Sequence, residues 1–79
     1  MADVRARLRA FLGELLGLGK GGGVSDSEDL LSGGLDSMGI LRLTVFVEEQ
    51  FGVRVPDETV VPENVRTLDA LVRWVETLR

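Results

Sequence analysis

The 79-residue chain contains neither cysteine nor histidine and carries a formal net charge of −4. The two missing residue types exclude a disulfide framework, a thiolate or imidazole metal site, and the usual nucleophile–base and zinc arrangements of hydrolases. Nine of the acids lie within residues 25–64 against only Arg42 and Arg54, a balance that disfavours nucleic acid and suits a partner with a basic patch.

Val4, Leu8, Phe11, Leu12, Leu15 and Leu16 recur at three- and four-residue spacing, predicting an amphipathic first helix with one buried stripe. Gly17, Gly19 and Gly21-Gly22-Gly23 end it. The run around Lys20 fails the G-x-x-x-x-G-K-[ST] phosphate-loop pattern, because Gly21 follows the lysine and no strand precedes it. It reads as a helix stop and a flexible loop. Ser25 and Glu28 have capping-box spacing and predict a short turn of helix. Gly33-Gly34 breaks the chain again, and Asp36 is a predicted N-cap for a helix from Ser37 to about Gln50, stopped by Gly52.

Val53 to Asp57 reads as a connector, followed by a short third helix over Asp57 to Val61 that Pro62 closes. Thr67 caps a last helix with the stripe Leu68, Leu71, Val72, Val75 and Leu78. The predicted fold is all-α, three main helices plus a short one, with a long loop after the first. No apolar stretch approaches the roughly 20 residues of a membrane helix, and no secretory core follows the N-terminus. The expectation is a single domain over residues 1–79, monomeric and cytoplasmic, with neither nucleic acid nor membrane as partner.

The second helix carries two apolar faces. Ile40, Leu43, Val47 and Phe51 share one and are the predicted core side. Met38, Leu41 and Val45 share another, beside the acidic Glu48 and Glu49. A small bundle buries one stripe per surface helix, so the second set is a candidate partner-binding patch. Ser37 falls in the first turn after Gly34-Leu35-Asp36. A phosphodiester on its hydroxyl would gain from the free N–H groups and dipole of a helix N-terminus.

Gly34-Leu35-Asp36-Ser37-Met38, then Val47-Glu48-Glu49-Gln50-Phe51-Gly52, then Val55-Pro56-Asp57 strongly resemble the acyl and peptidyl carrier proteins, whose motif is D-S-L with an E-E-x-F tail on the second helix. The helices match that family in order and length over nearly the whole chain. The resemblance implies a four-helix bundle and a 4′-phosphopantetheine arm on Ser37, a phosphoprotein that presents thioester cargo and is not an enzyme. It implies that Asp36 lies against a phosphopantetheinyl transferase and its metal, and that Met38, Leu41, Arg42, Val45, Glu48 and Glu49 face partners. Those partners would be an acyl- or aminoacyl-loading enzyme and downstream synthase or modifying enzymes.

Three positions depart from the family pattern. Met38 replaces the usual leucine at conserved volume. Arg42 stands where fatty-acid carriers place an acid, and Gly39 where a polar residue is usual, lowering helix propensity by about 1 kcal/mol relative to alanine. A reversed charge discriminates by repulsion. The resemblance therefore favours a discrete carrier of polyketide, nonribosomal peptide or antibiotic pathways over a housekeeping fatty-acid carrier. An unmodified docking module is the reading from another class.

Overall fold

The computed structural model describes residues 3–17 and 24–79; the glycine run around Lys20 lies outside them. Four α-helices follow in order: α1 (Val4–Leu15), α2 (Ser37–Phe51), α3 (Pro62–Val65) and α4 (Leu68–Leu78), with a 3₁₀ turn over Asp57–Thr59. No strand occurs among the described residues. The all-α four-helix architecture expected of the sequence is the one observed.

Each main helix starts where a side chain can bond the first-turn N–H groups that lack partners inside the helix. Asp3 accepts from Arg5 N–H at 3.0 Å, Asp36 from Gly39 N–H at 2.8 Å, and Thr67 from Ala70 N–H at 3.1 Å. α2 ends at Gly52, whose φ of +63° is the left-handed conformation that glycine adopts at no steric cost. α1 and α3 both pack on α4. The core joins Leu8 and Leu12 of α1, Leu43 and Val47 of α2, and Leu68, Leu71, Trp74 and Val75 of α4.

Two local expectations are corrected. The Ser25–Glu28 segment forms a turn rather than helix, although the capping-box contact from Ser25 N–H to the Glu28 carboxylate is present at 3.3 Å. The loop backbone is committed elsewhere. Asp69 N–H donates to Asp26 C=O at 3.0 Å, and Leu30 N–H donates to Arg66 C=O at 2.7 Å. The Asp26 carboxylate is also held by Arg5, which bridges to Asp69 at 2.7 Å, and by Arg9. Val24 and Leu30 anchor this loop in the core.

Pro62, expected to close the third helix, instead opens α3 at its first turn. The chain stays extended at Val61 (φ −124°, ψ 156°), because a residue before proline is sterically excluded from the α region. Proline's missing N–H is harmless at a helix start. The predicted Asp57–Val61 helix is thereby reduced to the three-residue 3₁₀ turn.

Candidate attachment site and docking face

The approach to Ser37 is built from a tight turn. Asp29 accepts from Leu31 N–H and Ser32 N–H at 3.1 and 3.2 Å, and Leu35 N–H donates to Leu30 C=O at 2.9 Å. The Ser32 backbone N–H, helped by the Ser32 hydroxyl and Leu31 N–H, holds the Asp29 carboxyl below the usual aspartate range against the opposing effect of desolvation. Gly34 has φ +114°, a conformation that side-chain-bearing residues rarely adopt. Leu35 then turns inward, only 3% exposed, and Asp36 runs extended before its carboxylate bonds back to Gly39. The consequence is an exposed Ser37 as the first residue of α2, flanked by a buried anchor on one side and a capped turn on the other.

This arrangement fits a phosphodiester. The hydroxyl is accessible, the first turn carries N–H groups with no partner inside the helix, and the adjacent Asp36 carboxylate is engaged with Gly39 N–H. Among the described residues no cluster of acids could hold a metal ion.

The second apolar face is also exposed. Met38, Leu41 and Val45 are 60%, 59% and 45% exposed, while Leu43 and Val47 are fully buried. Arg42 and Glu49 are exposed and line the same shallow concavity of about 430 Å³ as Leu41 and Val45. Glu48 differs from the other candidates. Its carboxylate accepts from Val55 N–H at 2.9 Å and fastens the connector to the end of α2.

Three packing roles are not evident from the sequence. Gly39 is buried, and a Cβ there would lie 3.0 Å from Leu35 Cδ1 and 3.4 Å from both Asp36 Oδ1 and Leu15 Cδ2. A glycine inside a helical pattern is the available signal of such close approach. Phe46 stacks on Phe11 with centroids 4.2 Å apart and meets Phe51 edge-on at 6.2 Å, yet it lies off the predicted core stripe. Trp74 is buried in the core although the predicted α4 stripe omits it.

The chain matches the family described as the phosphopantetheine attachment site over residues 6–75. It is 32% identical over 76 residues to the acyl carrier protein of Zymomonas mobilis subsp. mobilis, spanning 96% of this chain and 95% of that protein. A chain in the crystal structure of the Bradyrhizobium japonicum glycine:[carrier protein] ligase with its cognate carrier protein and a glycyl adenylate analogue superposes with a TM-score of 0.77 at 32% identity. That match covers 95% of this chain and 99% of that one. The solution structure of a holo acyl carrier protein from Nitrosomonas europaea gives 0.76 at 30% identity, covering 98% and 95%. Neighbours with the same helical fold, one of them a holo carrier, match nearly end to end. The chain therefore belongs to the phosphopantetheine attachment-site family, the non-enzymatic carrier proteins whose cofactor is 4′-phosphopantetheine.

Proposed function

We propose that Ser37 is the attachment residue and that the chain is a discrete acyl or aminoacyl carrier of a specialised biosynthetic pathway. The observation that carries this is the exposed Ser37 hydroxyl at the first residue of α2, held there by Gly34, buried Leu35 and the Asp36 cap. A phosphopantetheinyl transferase transfers the arm from coenzyme A to Ser37 Oγ, which loses its proton as the nucleotide half departs. When bound, the arm supplies a terminal thiol that holds cargo as a thioester, so the chain's lack of cysteine is no obstacle.

The chain's own residues position and present. The cap at Asp36 keeps the first turn of α2 formed around Ser37. Met38, Leu41 and Val45 form the apolar strip that partner enzymes meet. Arg42 on that strip disfavours partners whose basic residues engage an acidic helix, which supports a dedicated pathway over fatty-acid synthesis. The likeness to a chain in the glycine:[carrier protein] ligase complex supports loading by an enzyme that activates an amino or carboxylic acid.

The test is the intact mass of the purified chain before and after incubation with coenzyme A, magnesium and a broad-specificity transferase. Wild type is expected to gain one phosphopantetheine and Ser37→Ala none, with unchanged helical circular dichroism. A Ser37→Ala protein that still gains the mass overturns the assignment. A folded wild type that gains nothing, beside a control carrier that does, makes the chain an unmodified docking module.

A further inference from the structure

Met38 carries the only sulfur atom among the described residues. The chain has no cysteine, and its other methionine is Met1. Met38 follows Ser37 in the first turn of α2 and is 60% exposed. It belongs neither to the buried core nor to the partly buried side chains packed on it. Trp74, another oxidisable side chain, is only 3% exposed. The leucine usual in this family fills the same volume without sulfur, so an apolar contact beside the serine does not require a thioether.

Met38 and Arg42 stand one turn apart on one face of α2. Both line a cleft of about 230 Å³ between the end of α1 and the start of α2. Leu15, Leu16 and Leu35 supply its apolar wall, and Asp36 is the other charged residue on it. The Asp36 carboxylate is engaged by Gly39 N–H, whereas Arg42 joins no ion pair among the described residues. Long side chains on a helix lean back toward its N-terminus. That brings the Arg42 guanidinium toward the turn of Met38, within reach of an oxygen placed on the sulfur.

Resting on the carrier reading above, we propose that Met38 is a reversible oxidation site that gates the loading of Ser37. Hydrogen peroxide transfers one oxygen to the Met38 thioether. The O–O bond breaks, an S–O bond forms and the sulfur is oxidised by two electrons. The departing hydroxide takes the proton of the transferred oxygen and leaves as water. The sulfoxide is polar and accepts a hydrogen bond from Arg42. A methionine sulfoxide reductase restores the thioether, two thiols becoming a disulfide with release of water.

Because Met38 lies outside the core, the oxidised chain keeps its fold. What changes is the surface that a transferase covers to reach Ser37. An apolar group there becomes a polar one tied to Arg42, and removing that group from water is unfavourable.

The experiment treats the ¹⁵N-labelled apo chain with hydrogen peroxide and locates the added oxygen by peptide mass. Arm transfer is then measured with coenzyme A, magnesium and a broad-specificity transferase, after the peroxide has been removed. The apo chain is used because the thiol of the arm would compete for the oxidant. Met38 is expected to gain one oxygen with unchanged far-UV circular dichroism and a shifted Arg42 Nε–H resonance. The kcat/KM of arm transfer is expected to fall about tenfold, and reductase treatment to restore it. Met38→Leu, which keeps Met1, is expected to show the same kcat/KM before and after peroxide.

A sulfoxide at Met38 that leaves transfer unchanged overturns the inference. So does an equal loss in Met38→Leu, which assigns the effect to Met1, or a loss that accompanies unfolding. An unmoved Arg42 resonance removes Arg42 from the switch. An untreated chain that is never loaded refutes the carrier reading and this one with it, a result distinct from a loaded chain whose rate ignores oxidation.

Discussion

Gly39→Ala sets two effects of similar size against each other, and the local packing decides between them. Helix propensity alone favours alanine by about 1 kcal/mol. The structure opposes it at three points: a Cβ at this position falls 3.0 Å from Leu35 Cδ1, 3.4 Å from Leu15 Cδ2 and 3.4 Å from Asp36 Oδ1. Leu15 is half-exposed and can swing away, but Leu35 is buried among core residues. The Asp36 oxygen is the one that accepts Gly39 N–H.

Overpacking a core contact costs about 1–3 kcal/mol, and weakening an N-cap adds about 1 kcal/mol. The expected net is a loss of about 1–3 kcal/mol, or at least about 4–8 °C in Tm for a domain of this size. Trp74, the sole tryptophan and 3% exposed, reports unfolding by fluorescence in a urea titration, alongside thermal circular dichroism. Leu35→Ala in the Gly39→Ala background should cost less than in wild type, with a coupling of at least about 0.5 kcal/mol. A rise in Tm for Gly39→Ala, or no coupling to Leu35, would refute the packing argument and leave propensity in charge.

Leu41→Glu should leave far-UV circular dichroism and Tm close to wild type, since Leu41 is 59% exposed, while reducing turnover with loading enzymes; full retention of turnover would remove Leu41 from the docking face. Val47→Asp places an unpaired charge at a fully buried site and should abolish cooperative unfolding, so a folded variant would contradict the assigned core. Glu48→Ala leaves Val55 N–H without its 2.9 Å acceptor and should destabilise by about 1 kcal/mol, the size of a typical net hydrogen bond; Glu48→Gln should recover most of it, and equal losses would refute the contact. Asp29 should titrate below the usual aspartate value of about 3.9, because the Ser32 and Leu31 N–H groups favour its charged form. Its folded pKa being depressed, the stabilisation of the 29–34 turn is present above that usual value and lost as pH falls through Asp29's own lower midpoint. A carboxyl ¹³C titration checks this, and a midpoint at or above 3.9 would contradict it.

Much of this protein follows from residue order alone. Stripes at helical spacing locate α1, α2 and α4, and the polar caps Asp36 and Thr67 mark where the last two begin, because amphipathic periodicity and first-turn capping are local properties of the chain. The exposure of Met38, Leu41 and Val45 follows equally from arithmetic on one helix, since a surface helix buries a single face. Ser37 is legible for the same reason: the turn, the cap and the hydroxyl are contiguous.

Tertiary structure decided everything that depends on a partner distant in sequence. The capping box at Ser25–Glu28 is present locally, yet the segment is no helix, because Asp26 and Leu30 give their backbone groups to α4 and Arg66. Gly39 is a poor helix former by propensity, but the closeness of Leu15 and Leu35 makes its missing side chain a packing requirement. Phe46 falls off the predicted stripe and finds Phe11 thirty-five positions earlier, and Glu48, legible only as surface charge, holds Val55 across the Gly52 turn. Local rules set where helices begin and which residues face outward; long-range contacts alone determine what a given side chain is for once the helices meet.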